Sequence, residues 1–161
     1  MPDTATGLTH LRDDGSAHMV DIGEKKTTER SATARSVVVS RTDVIELIAS
    51  GKLPKGEALG TARIAGILGA KATSTLIPLC HPLPITHVSI DLIPDHDRVV
   101  IEATVSAVGR TGVEMEALTA ASVAALTVYD MIKAVDREAT IAHTYVVRKQ
   151  GGKSGDWMRD A

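Results

Sequence analysis

The chain contains no phenylalanine, one tryptophan and two tyrosines among 161 residues. Single-stranded nucleic acid is held largely by stacking bases on aromatic rings, so this composition argues against that class. The formal net charge is −2, so no global field draws the chain to nucleic acid or to a membrane. A single cysteine, Cys80, excludes an internal disulfide framework and a cysteine-based zinc cage. No stretch is expected to reach transmembrane length, and the opening MPDTATGLTH does not read as a signal peptide. A cytoplasmic enzyme or binding module is the expectation these absences leave.

What is present is ordinary for a globular domain: 43% hydrophobic and 24% charged residues. With so few rings the core must be built from Val, Ile, Leu and Ala. The dominant stretch is Gly109–Val135, a Gly109-Arg110-Thr111-Gly112 turn followed by a long helical pattern free of Pro and Gly. Thr111 and Glu114 have capping-box spacing. A helix over Val113–Val135 would be about 35 Å long. Its Ala117, Ala121, Ala124, Ala125, Val128, Met131 and Ile132 share one face, and Glu116, Thr119, Ser122, Asp130 and Lys133 share the other. Asp130 and Lys133, one turn apart, read either as a weak surface ion pair or as an acid and a base of tunable proton affinity.

In chain order, residues 1–9 are expected to be disordered and His10–Ile22 to form an ordered arm. Lys25–Arg35 is basic without an apolar face, a solvated linker or an arm that reaches an anion. Ser36–Ser40 reads as a short strand, with a Thr42-capped helix over Asp43–Ala49 and a second helix over Glu57–Ala72. Three prolines stiffen Thr75–Pro84 around Leu79-Cys80-His81. Strands follow over Thr86–Ile93 and Arg98–Ala107, joined by a turn at Pro94–Asp97, and the last strand is Thr140–Val147. The order β-α-β-β-α-β predicts an α+β, ferredoxin-like antiparallel sheet with helices on one face. The single domain is expected to span residues 10–149, and residues 150–161 to form a Gly-rich basic tail.

Gly152-Lys153-Ser154 resembles the end of a phosphate-binding loop, but Val147 stands where its first glycine belongs and no helix is expected to follow. Lys149 and Lys153 remain as cations on flexible backbone. Cys80 and His81 are too few for a metal site, and neighbours in sequence make an improbable nucleophilic pair. His87 and His143 read as structural and His96 as a turn residue. The remaining set, Lys55, His81, Glu116, Asp130, Lys133 and Lys149 with Arg30, suits proton transfer on a small phosphorylated anion.

The segments MVDI, GTARIAGI, LIPLCHPLP, TGVEMEALTAASVAALTVYDMIKA and GGKSGDW resemble the cyclic pyranopterin monophosphate synthase family of molybdenum-cofactor biosynthesis, over roughly Leu8–Trp157. The resemblance implies a ferredoxin-like fold and rearrangement of a cyclo-dihydro-GTP substrate to cyclic pyranopterin monophosphate with loss of pyrophosphate. It also implies a homohexamer, a trimer of dimers with interface active sites, and no metal or organic cofactor. By motif, Leu79, Cys80 and His81 match its substrate-binding loop, and Met115 and Glu116 a substrate contact. Asp130 matches a catalytic aspartate, Lys133 its partner lysine, and Lys55 the lysine before the second helix. Lys149 matches a tail lysine, with Lys153 beside it expected on the triphosphate. Glu114 also matches, although its capping position would give it a structural task.

A regulatory small-molecule module of the same fold is the alternative, since fold alone does not fix function. The matched Asp130–Lys133 pair favours catalysis. The Ala- and Gly-rich helix faces exceed what one small sheet covers, which predicts an oligomer.

Overall fold

Alternating small and branched residues make a pleated surface with one dry face, and the sheet follows that pattern. A computed structural model describes Arg12 and residues 14–160; the disorder expected over residues 1–9 lies outside them. The elements are β1 (Thr28–Val39), α1 (Thr42–Ala49), α2 (Ala58–Leu76), β2 (Ile85–Asp95), β3 (Arg98–Gly109), α3 (Glu114–Ile132), β4 (Thr140–Gln150) and β5 (Trp157–Met158). The sheet order is β2-β3-β1-β4-β5 with every pairing antiparallel. This is the expected α+β, ferredoxin-like arrangement with one short strand added at an edge.

Three local expectations change. Strand β1 starts at Thr28, well before Ser36, so most of the basic stretch is not a linker. Its dry face is made by Ala32 and Ala34, paired with Val105 and Ala103, all buried. The chain after residue 150 is not a loose tail: Trp157 pairs with Lys149 and Met158 with Arg148, closing a hairpin. Gly151 and Gly152 both take positive φ there (84° and 79°), a conformation glycine adopts without steric cost. Finally, the N-cap of α3 is Val113 and no side chain caps it, so Thr111 and Glu114 form no capping box.

Helices α2 and α3 approach closely because the residues between them are small. The position a Cβ would occupy on Gly66 lies 3.0 Å from the Ala120 carbonyl oxygen and 3.2 Å from the Ala124 Cβ. A larger residue must push the helices apart. Gly66→Val should therefore lower stability by about 1–3 kcal/mol in urea melts, despite its better helix propensity.

By length and composition α3 could cross a bilayer, contrary to the expectation that no stretch would. Half of it is buried within the protein, against the sheet and α2, so it is a core helix.

Beyond α3 the buried Asp136 ties the chain together. Its Oδ2 accepts from Ser40 Oγ at 2.6 Å and from the Arg41 N–H at 3.3 Å, and its Oδ1 from the Glu138 N–H at 3.0 Å. The Ser40 hydroxyl, helped by these amides, holds the Asp136 carboxyl below the usual range. A carboxyl depressed by folding stabilises the fold above its unfolded pKa and loses that contribution as pH falls through the folded value. Asp136→Asn should cost about 1.5–3 kcal/mol at neutral pH. The gap from the parent should close as pH falls below the ordinary carboxylate range, as read by urea melts across pH.

Candidate active site

The loop before α3 and the first turn of that helix face the proline-stiffened segment after α2. Between them lies a cavity of about 340 Å³ whose walls include Leu79, Cys80, His81, Glu114, Met115 and Glu116. The arm residues Val20, Ile22 and Lys25 close it on another side. All six sequence-predicted residues of this group are thus brought together.

Glu116 is buried at 4% exposure, with its own backbone N–H favouring the charged form of its carboxylate. Burial pushes its carboxyl up, and the nearby Glu114 charge adds to the shift. A carboxyl so placed retains its proton more readily than a surface one, as a general acid must. The Cys80 thiol is also pushed up, by burial and by Glu116, which makes it a poor nucleophile at neutral pH.

A second basin of about 920 Å³ adjoins the first. Lys25, Thr111, Gly112 and Glu114 line both. Six cations border the basin, Lys25, Lys26, Arg30, Arg110, Lys149 and Lys153, against the single carboxylate of Glu114. Lys149 Nζ lies 3.5 Å from Glu114 Oε1 and hydrogen-bonds Ser154 Oγ. Arg30 Nε donates to the Gly109 carbonyl at 3.1 Å, and its guanidinium lies against Gly152 where a side chain would stand. Glu114, freed from capping, is part of the site wall. Lys25, Lys26 and Arg110 were not singled out from the sequence as site residues. The one signal was the basic character of Lys25–Arg35, since Arg110 lay unremarked in a turn.

Asp130, Lys133 and Lys55 form a separate group. Asp130 Oδ1 is 2.7 Å from Lys133 Nζ, and Asp130 Oδ2 is 3.1 Å from Lys55 Nζ, which also donates to the Asp130 carbonyl at 2.8 Å. All three are exposed. Hydrogen bonds from Lys133 and then Lys55 hold the Asp130 carboxyl below its usual range, and Asp130 holds the Lys133 ammonium above its own. In this chain the pair shifts opposite to the directions burial would impose. Glu116 and Asp130 are fourteen positions apart on α3, about 21 Å along the axis. The two groups share a stripe of α3 but not a cavity of one chain.

A buried carboxyl whose proton affinity is raised, beside a cation-rich basin and with a lysine–aspartate–lysine group on the same helix, defines a class: enzymes doing acid–base chemistry on a small polyanion. Comparison with known sequences narrows the class. The MoaC family profile matches residues 19–152. Relatives named cyclic pyranopterin monophosphate synthase include one from Corynebacterium glutamicum (strain R), 59% identical over 150 residues, which cover 93% of this chain and 96% of the relative. One from Roseiflexus sp. (strain RS-1) is 57% identical over 155 residues, 95% and 98% of the two chains. Another from Chloroflexus aurantiacus is 52% identical across 161 residues, 99% of each. The chain belongs to the MoaC family.

Proposed function

We propose that this chain converts (8S)-3′,8-cyclo-7,8-dihydroguanosine 5′-triphosphate into cyclic pyranopterin monophosphate and pyrophosphate, an early step of molybdenum-cofactor biosynthesis. One observation carries the reading from the structural side: the two cavities are contiguous. The smaller, with Glu116, His81, Leu79 and Met115, fits a guanine-derived ring that must gain and lose protons. The larger, with its six cations, fits a triphosphate. In the phosphate-closing step a substrate hydroxyl oxygen bonds the α-phosphorus, and the bond to the β-phosphate oxygen breaks. The hydroxyl proton passes to a carboxylate, and pyrophosphate departs with its charge neutralised by Lys149, Lys153 and Arg30.

Asp130, Lys133 and Lys55 enter from a second copy. Ile64, Leu68, Leu76 and Leu126 are each more than half exposed on the outer side of the helical layer, an apolar surface that a subunit would cover. The assembly is a homohexamer, a trimer of dimers with shared sites, working in the cytoplasm without a metal or organic cofactor.

The reading is tested by incubating the purified chain with the cyclo-dihydro-GTP substrate and measuring pyrophosphate and the pterin product. Absence of both would end it. Lys149→Ala should raise the substrate KM at low ionic strength, and the penalty should shrink in high salt, where screening already weakens the attraction. An unchanged KM at low salt would remove Lys149 from the phosphate site.

A further inference from the structure

The wall common to both cavities includes a segment without regular secondary structure. Residues 18–27 form no helix or strand. Their internal order is one turn, in which the Gly23 N–H donates to Asp21 Oδ1 at 2.8 Å and the Lys25 N–H to the Ile22 carbonyl at 3.1 Å. Yet Val20 and Ile22 close the smaller cavity, Lys26 lines the larger, and Lys25 stands at the boundary of both. Among the described residues, one side-chain hydrogen bond joins this arm to the body: Arg110 Nη1 donates to the Gly23 carbonyl at 2.8 Å.

We propose that Arg110 is a positioning residue, clasping the arm through Gly23 so that Lys25 is fixed between the ring cavity and the anion basin. Arg110 immediately precedes Thr111 and Gly112, which line both cavities, so the clasp registers the arm against the wall it must meet. A guanidinium suits this task because it is always charged and its planar donors hold a fixed direction. Arg110 is exposed, so its loss removes a local tie without opening the core. Besides Arg110, the charged groups lining the two cavities with Lys25 are Lys26, Arg30, Lys149 and Lys153 against Glu114 and Glu116. An unclasped Lys25 is surrounded mainly by like charge and has reason to swing away.

The proposal rests on the reading that the substrate occupies both cavities, and the experiment separates the two. Arg110→Met, Lys25→Met and the double variant are compared with the parent in the assembled state, with circular dichroism confirming the fold. Trypsin cleavage after Lys25 and Lys26, which needs no substrate, should accelerate severalfold in Arg110→Met. With cyclo-dihydro-GTP its KM should rise about tenfold, the scale of one charge-assisted hydrogen bond, with kcat little changed. In the Lys25→Met background the same change should raise KM by less than about twofold, because the clasp acts through Lys25. An unchanged cleavage rate, or KM effects that simply multiply, would overturn the clasp and leave Arg110 at most a direct anion contact. If the parent itself released no pyrophosphate, the functional reading would fall. The clasp would then be judged by cleavage and by the affinity of inorganic tripolyphosphate in the same variants.

Discussion

Asp130→Asn should lower turnover by about a hundredfold or more at saturating substrate, while the melting temperature and assembly mass stay close to the parent's. Lys133→Ala should behave the same way. Asp130 is exposed and paired with two lysines at 2.7 and 3.1 Å, and exposed pairs contribute little to folding. The substitution is nearly isosteric, so packing is retained. What it removes is a carboxylate held ionised by two ammonium groups, and with it the means of keeping Lys133 protonated. Because the Asp130 carboxyl is depressed, the group is a base or charge partner over the working pH range rather than an acid. Under the proposed function Glu116, whose carboxyl is raised by burial, would be the complementary acid. Near-normal turnover in Asp130→Asn, measured by pyrophosphate release, would reduce the group to a surface ion pair.

Two inactive variants should restore one another when mixed. Glu116→Gln damages the α3 N-terminal group and Asp130→Asn the C-terminal group, about 21 Å away on the same helix. If each working site draws one group from each subunit of a twofold pair, dissociating and reassembling equal amounts makes half the pairs hybrid. Each hybrid has one site with both groups intact. Activity should therefore return to about a quarter of the parent value. Light scattering on the same mixture should report the hexamer mass. If a single chain held the whole site, mixing would restore nothing.

Much of this was legible in the sequence because the signals are periodic or conformational. The Ala-rich face of α3 and the alternation of Val88, Ile90 and Leu92 against Val99, Ile101, Ala103 and Val105 placed one helix and one hairpin. The strand order then left few arrangements. The prolines around Leu79-Cys80-His81 marked the loop that lines the smaller cavity. The first half of β1 was missed because alanine has low strand propensity, and Ala32 and Ala34 become buried only when Val105 and Ala103 pair with them. The closing hairpin was missed because Gly-rich backbone signals freedom, whereas Gly151 and Gly152 use positive φ to turn, and the Gly151 N–H donates to Asp156 Oδ1 at 3.0 Å. The helical stripe put Glu116 and Asp130 on one face, and their separation in sequence already set them about 21 Å apart. What the sequence did not show is that Glu116 lines a cavity of its own chain while Asp130 pairs with Lys55 and Lys133 at the surface.

The edge strand β5 makes the protein a spectroscopic instrument for its own site. Trp157, the only indole in the sequence, sits there at 44% exposure, paired with Lys149 on β4. The Arg159 guanidinium lies 5.6 Å from its ring and 5.1 Å from that of Tyr145. The loop that β5 closes carries Gly152, Lys153 and Ser154, all on the rim of the cation-rich basin. Among the described residues the fully buried core contains no aromatic ring, and Tyr129 packs against its edge. Indole emission from the native chain should therefore report charge arriving beside Lys149, and the proposed binding of phosphate there should be readable without a label.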